Sequence, residues 1–364
     1  MDRVIYVNGQ SIPRVDDSCK YFLNVLTILF GPSGTGKSSL IRHILNTIRD
    51  VVPIGMVCCP TNATNGDYNG IIPDECIYDD LSASLMRKIF ARQTNILAMY
   101  NLVRSLNDLK PIFELISDQD AKNKISKINK AYNEGIEMIK SSYDEDEAET
   151  ALVDLKDRND KKMVSIMRKC IISNATKIDT NALTDIQKTI VSNLEINPNL
   201  LLIIDDCAAS IKEWRDLEET KQLFFQGRHF KVTTILTMQN ESIIPVPLRA
   251  NAHISIFTTN KIATTYFAKA SSGVSSQERK RIEQIAEAIF ANNGNTPNYK
   301  KMVAFSNLVN TESKIQFIIA NPKRKRFGSP ATWALCQQVK KTVPNAITNS
   351  AFAKMFHLKA TSQL

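Results

Sequence analysis

Residues Gly31-Pro32-Ser33-Gly34-Thr35-Gly36-Lys37-Ser38 carry glycine, lysine and a hydroxyl in the order GxxxxGK[ST]. Glycines let backbone N–H groups turn toward a phosphate with no Cβ in the way. A helix beginning at such a loop adds its positive end. Lys37 is then in reach of β- and γ-phosphates, the Ser38 hydroxyl can hold Mg²⁺, and Ser39 continues the cradle. The expected ligands are therefore ATP and Mg²⁺.

A second group of oxygens follows far along the chain. LLLIIDD, residues 200–206, is an apolar run that ends in two acids. A buried strand of this kind delivers its last residues to the edge of an α/β sheet where ligands sit. Asp205 is expected to hold Mg²⁺ through water. Asp206 either orients the attacking water or caps the next segment as a short carboxylate. Gln239 ends another apolar run, KVTTILTMQ, and is placed to face a γ-phosphate from the neighbouring strand. Arg228, in FFQGRHF, and Arg249, in PLRANAH, are the two arginines whose charge can stabilise phosphoryl transfer. If Arg228 projects from the subunit's edge, it acts on a neighbour's nucleotide.

The elements that must position these residues are legible as patterns. NVLTILF (24–30) is a short continuous apolar run, and Leu40, Ile41, Ile44, Leu45 and Ile48 repeat at helical spacing behind the loop. PIGMVCC (53–59) predicts a second strand, and PTNATNGDYNG after it reads as a long loop. A helix is expected from near Asp80. Between Pro111 and Pro198 there is no proline, and Ile125, Ile128, Tyr132, Ile136 and Ile139 recur every three or four residues. Long helices, some in a hairpin, are expected, with Asp144-Glu145-Asp146-Glu147 in an exposed turn. Runs at 231–239, 253–259, 299–305 and 314–320 complete a largely parallel α/β sheet with an antiparallel hairpin at its edge. The organisation expected is a first core half over 1–100, a helical insertion over 101–197, a second core half over 198–320 and a basic tail over 321–364.

Composition bounds the rest. Of the net charge of +9, eight Lys and Arg and no acid fall in residues 321–364. Such a tail attracts polyanions, nucleic acid among them, or serves solubility alone. KRKR at 323–326 reads equally as an import signal, a DNA contact or a solvated run. The seven cysteines form no CxxC pair, so structural zinc and a disulfide framework are not expected. No apolar stretch is long enough to span a membrane, and MDRVIYVNGQ has no signal-peptide core. A soluble intracellular protein is expected.

The order GPSGTGKS, PTNATNGDYNGIIPDE, LLLIIDD, FFQGRHFKVTTILTMQN and VPLRANAHISIF resembles the genome-packaging ATPases of large eukaryotic DNA viruses, poxvirus-type, within the FtsK/HerA superfamily of P-loop DNA translocases. The resemblance covers about residues 21–100 and 198–260. It implies a RecA-like core in a homo-oligomeric ring, a hexamer or pentamer, with double-stranded DNA in its channel and capsid or portal components as partners. It implies ATP hydrolysis coupled to DNA translocation, with Arg228 as the arginine finger and Gln239 as the sensor, and a location in the virion or the host-cell virus factory. The competing classes are a P-loop kinase and a nucleotide-gated scaffold. A kinase needs an arginine-rich lid that this chain lacks between its glycine and aspartate motifs.

Overall fold

Apolar runs of five residues, too short for helices, become strands covered on both faces, and the whole architecture follows from stacking them side by side. The computed structural model of the chain describes residues 4–208, 211–240, 243–269, 272–291, 299–306 and 314–342. Ten strands are named: β1 (Val4–Val7), β2 (Gln10–Pro13), β3 (Leu26–Phe30), β4 (Ile54–Cys58), β5 (Ile77–Tyr78), β6 (Leu200–Ile204), β7 (Val232–Met238), β8 (Ile254–Phe257), β9 (Lys300–Phe305) and β10 (Ile315–Ile319). Eight of them form one sheet in the order β10-β9-β8-β3-β7-β6-β4-β5. From β8 to β5 every pairing is parallel, whereas β8–β9 and β9–β10 are antiparallel. The β1–β2 hairpin continues toward this antiparallel edge, where Val15 N donates to Phe317 O at 2.9 Å.

Helices follow the strands. They are α1 (Lys37–Ile48), α2 (Asn62–Asn65), α3 (Ala83–Leu102), α4 (Leu106–Ile116), α5 (Gln119–Ser142), α6 (Glu145–Asn174), α7 (Asp185–Asn193), α8 (Ile211–Trp214), α9 (Glu218–Gln226), α10 (Val246–Arg249), α11 (Asn260–Ala268), α12 (Ser276–Phe290) and α13 (Pro330–Thr342). Every residue of β3, β4, β6, β7 and β8 is buried, and α1 buries Leu40, Ile41, Ile44, Leu45 and Ile48 against the same core. Seven of the ten strands lie inside the expected runs and are shorter by one to three residues, because the ends of each run turn away from the ladder, whereas β1, β2 and β5 were not expected. The segment expected as a long loop after β4 is partly helical: Asn62 Oδ1 accepts from Tyr68 N and Asn62 Nδ2 donates to Asn69 Oδ1, both at 3.0 Å.

The chain divides into two compact units. Of the described residues, the first contains 4–93 and 199–342 and the second 94–198. The second unit has its own core of Val103, Leu109, Ile112, Phe113, Met167, Ile171 and Ile190. Within it α5 and α6 pair as a hairpin, and the stripe Ile125, Ile128, Tyr132, Ile136 and Ile139 is half-buried along α5. The side chain of Asp144 accepts from Glu147 N, so the acidic run caps α6 and favours its N-terminal end.

The stretch expected to begin a basic tail is not free at its start. Phe327 is 1% exposed, its N–H donates to Ile71 O at 2.8 Å, and it lies against Gly55, where an added Cβ would stand 2.9 Å from the ring. Ser329 N and the Thr332 hydroxyl donate to Pro53 O at 2.7 and 2.8 Å. An aromatic residue one step past KRKR found an apolar slot, and the backbone followed. The side chains of Lys323, Arg324, Lys325 and Arg326 remain exposed. Residues 343–364 of the expected tail lie outside the described residues.

Asn321 N donates to Nδ1 of the buried His43 at 3.3 Å, and His43 Nε2 lies 3.4 Å from Asp17. Burial pushes the pKa of His43 down from its ordinary 6.5. A depressed folded pKa gives stability that is present in full above the unfolded value and is lost as pH falls through the folded one. The free energy of unfolding is expected to decline from pH 7 to pH 5 in the parent. In His43→Asn, which keeps an acceptor near Nδ1 but does not titrate, the decline should be shallower by denaturant titration at each pH.

Candidate nucleotide-binding site

The glycine loop leaves the C-terminal end of β3 and turns into α1. Gly31 N donates to Met238 O at 2.9 Å, so the loop starts level with the end of β7. Gly31 has no room for a side chain: a Cβ there would stand 1.8 Å from Thr258 Oγ1. Gly36 is the N-cap of α1 with φ 94°, a left-handed conformation that favours glycine, and no side chain caps the helix. The first-turn N–H groups are thereby left to an incoming anion. Thr35 Oγ1 and Thr258 Oγ1 are 2.7 Å apart and brace the loop against the end of β8.

Lys37 Nζ donates to Gly31 O at 2.8 Å and to Pro32 O at 2.9 Å, folding the ammonium over its own loop. Burial lowers its pKa, and Asp205 and Asp206 pull it back up. The lysine and both aspartates therefore share one field, which is what a charged phosphate and a metal between them require.

Asp205, just past the end of β6, is 7% exposed, and its two oxygens accept from Tyr68 Oη at 2.7 Å and Thr237 Oγ1 at 2.6 Å. Burial and then the Asp205 charge push the Tyr68 phenol well up, so it stays a donor. Asp206 is exposed and sits at φ 57°, a left-handed conformation uncommon outside glycine, while its N–H donates to Thr237 Oγ1 at 3.1 Å. That backbone turns the Asp206 carboxylate out of the ladder beside the loop. The Ser38 hydroxyl donates to Asp67 Oδ2 at 3.4 Å, and Arg42 Nη2 holds the other Asp67 oxygen at 2.5 Å. The side-chain oxygens of Ser38, Asp67 and Asp205 are hard donors, which suit Mg²⁺.

Gln239 is exposed at the residue after β7, next to the loop's first glycine. Arg228 is not at this edge. It precedes β7, whose N-terminal residues stand level with the start of β3, so its own loop lies a strand length away. Six residue steps at about 3.3 Å make roughly 20 Å. Arg228 is exposed there. Arg249 is 7% exposed, with its guanidinium 5.6 Å from the centre of the Tyr266 ring, beside a cavity of about 330 Å³ that none of the loop residues lines. The seven cysteines are free thiols, five of them buried.

Four residues at this edge escaped the sequence reading: Asp67, Tyr68, Thr237 and Thr258. Two of them, Thr237 and Thr258, were within reach of a general rule, since polar positions at the ends of β7 and β8 lie at the C-terminal edge of a parallel sheet, where ligands bind.

A parallel sheet with a Gly-rich loop between β3 and α1, and a buried aspartate after β6, defines a P-loop NTPase fold. No family model matches the chain. The uncharacterized protein B354L of African swine fever virus (isolate Tick/Malawi/Lil 20-1/1983) is 27% identical over 348 residues, 91% of this chain and 92% of that protein. Protein 075L of Invertebrate iridescent virus 6 is 38% identical over 66 residues, 18% of this chain and 26% of that protein. Among solved structures, the genome packaging NTPase B204 from Sulfolobus turreted icosahedral virus 2, in complex with ATP-gammaS, matches 86% of this chain and 100% of its own at 11% identity and a TM-score of 0.34. The bacterial conjugative coupling protein TrwB matches 91% of this chain and 92% of its own at 13% identity and a TM-score of 0.36.

The Tyr68–Asp205 bond generates a prediction about stability. Tyr68→Phe keeps the ring and removes the donor, leaving a buried carboxylate oxygen short of a partner. The loss is expected to be about 1.5–3 kcal/mol in Mg²⁺-free denaturant unfolding. A change within about 0.5 kcal/mol, the range of an ordinary surface substitution, would mean that the phenol does not hold Asp205.

Proposed function

We propose that this chain is an ATPase that works as an oligomeric, DNA-translocating motor and packages a viral genome. The observation that carries the reading is the division of the site between the two edges of one sheet. Lys37, Ser38, Asp205, Asp206 and Gln239 gather where β3, β6 and β7 end. Arg228, the exposed arginine, stands where β7 begins and cannot serve its own loop. An arginine in that position is useful to catalysis only if a second subunit brings its nucleotide to it, which a ring of five or six subunits does at every interface.

In this reading Lys37 leaves its loop carbonyls for the β- and γ-phosphates, and the loop N–H groups and the first turn of α1 take the remaining phosphate charge. Ser38 and Asp205 would hold Mg²⁺, which would supply positive charge against the negative charge that develops on the phosphate. Asp206 orients the attacking water and Gln239 lies over the γ-phosphate. Water attacks the γ-phosphorus, the bond to the β-phosphate oxygen breaks, and ADP and phosphate leave. Arg228 of a neighbouring subunit supplies the last positive charge, a contribution of roughly 10³–10⁵ in rate.

Support for the polymer and the virus comes from elsewhere. The exposed Lys323–Arg326 run and the net charge of +9 suit duplex phosphates. The relative that matches nine-tenths of the chain comes from a large DNA virus. The protein then belongs in the virion or the virus factory, against capsid or portal components.

The test is the ATPase rate with and without double-stranded DNA, together with the mass of the assembly. Stimulation by duplex in a particle of five or six subunits is expected; a monomer whose rate ignores DNA would overturn the motor reading and leave a nucleotide-gated scaffold. Lys37→Ala should lower turnover by at least roughly 10²–10³, the loss seen when one oriented donor to a transition-state anion is removed.

Mixing separates action within a subunit from action between subunits. Arg228→Ala subunits retain a sound loop, and Lys37→Ala subunits a sound arginine. Co-assembled, the two inactive proteins are expected to regain part of the hydrolysis, read by phosphate release. Continued inactivity in proven mixed assemblies would remove Arg228 from the reaction.

A further inference from the structure

β9 runs antiparallel to β8 with Phe257 opposite Met302, so Lys301 stands just past the last residue of β8, beside Thr258. Its ammonium donates to Thr258 O at 3.2 Å. Thr258 is the residue whose hydroxyl touches Thr35 and fills the space a Gly31 side chain would need. The Lys301 stem reaches further: its Cε would be 3.9 Å from a Cβ on Gly36. The side chain therefore lies along the loop from its first threonine brace to the glycine that opens α1.

That is an odd place for an unneutralised cation. Lys301 is half-buried, and burial alone pushes its pKa down, with no carboxylate acting to restore it. Among the described residues its one hydrogen bond is to a neutral carbonyl, and no ion pair includes it. The adjacent N-terminal end of α1 is itself positive and Lys37 is one residue away from Gly36. Gathering positive charge in a partly desolvated spot is unfavourable unless an anion completes it. A phosphate at the loop would supply that anion.

The sheet order decides which phosphate. Asp205, Asp206 and Gln239, the groups that face the metal and the γ-phosphate, lie on the β7–β6 side of β3. Lys301 approaches from the opposite side, across β8. We propose that Lys301 is a second nucleotide-binding lysine, which takes the α- and β-phosphate oxygens of a nucleoside di- or triphosphate in its own subunit. The inference rests on the nucleotide-binding reading of the loop and adds the antiparallel edge of the sheet to the site. Because the contact is made to phosphates that ATP and ADP both carry and not to the transferred group, the effect of Lys301 falls chiefly on binding, with a smaller added gain from the charge that develops on the leaving β-phosphate.

The experiment is nucleotide binding by the full chain, by calorimetry with ATP and ADP, and steady-state hydrolysis, for Lys301→Met, Lys301→Arg and Lys37→Ala. Lys301→Met should weaken ATP and ADP alike by roughly 10- to 100-fold, the worth of one charged hydrogen bond. KM should rise by far more than kcat falls. Lys301→Arg should recover much of the affinity. The melting temperature of the nucleotide-free Lys301→Met protein should hold or rise, since a partly buried charge without a counter-charge has been removed. A lysine that merely braces Thr258 would lower it and would leave the affinities within twofold. Parent-like ATP and ADP affinity in Lys301→Met, with affinity lost in Lys37→Ala, overturns the second lysine alone. A fall in kcat at unchanged affinity overturns it too. No nucleotide binding by the parent would overturn the ATPase reading, and this site with it.

Discussion

The carboxylate of Asp205 is buried at the end of a strand that is apolar along its whole length, and two hydrogen bonds make that tolerable. A charge in that position is costly unless its oxygens are met. Tyr68 comes from the segment after β4, Thr237 is the next-to-last residue of β7, and both strands flank β6. One residue thus fixes three neighbouring strand ends to a common level. The same Thr237 oxygen accepts from Asp206 N, so the left-handed turn that aims Asp206 outward depends on it as well. The glycine loop is tied in through Gly31 N on Met238 O, one residue beyond Thr237. The glycine loop and both aspartates are held by a chain of short contacts with few side chains in it.

A strand covered on both faces can offer chemistry only at its ends, and in a parallel sheet all the C-terminal ends share an edge. That explains why the loop and both acids meet without being near in sequence. Arg228 and the buried Arg249 come from connections that return to the start of the next strand. Arg249 is enclosed near Tyr266, while Arg228 stays exposed, so the two arginines that sequence spacing left equal are separated by burial. The glycine loop and the two aspartates stand on one rim and the exposed Arg228 on the other, and the proposed motor would join the two rims through head-to-tail neighbours.

Much of this was legible in the chain before folding. Continuous apolar runs announced β3, β4, β6 and β7, and the three-and-four spacing of Leu40, Ile41, Ile44, Leu45 and Ile48 announced α1, because burial on one or both faces writes directly into residue type. Asp205 and Gln239 were legible for the same reason: each is the first polar residue after such a run. Asp67 and Tyr68 were not. They sit among turn formers, and their role depends on Asn62 closing a short helical turn that no periodicity marks. Lys301 was hidden more deeply, since its place beside Gly36 depends on the register of β9 against β8, a pairing set by packing across the sheet rather than by its own neighbours.

Charge read from sequence misled in an instructive way. A stretch rich in Lys and Arg and empty of acids reads as solvated chain, and the four side chains of KRKR are indeed exposed. Their backbone is anchored all the same. Asn46 of α1 donates to Lys323 O at 3.1 Å, Arg324 donates to Asn69 O at 3.0 Å and Gly66 O at 3.3 Å, and Trp333 Nε1 closes on Phe327 O at 2.8 Å. Gly66 and Asn69 bracket Asp67 and Tyr68, the residues that touch Ser38 and Asp205. The basic run and the loop that carries Asp67 and Tyr68 are therefore in direct contact through Arg324. Net charge located the run, but only the apolar slot that takes Phe327 explains why that charge sits against the helix that follows the phosphate loop and not at the end of a free tail.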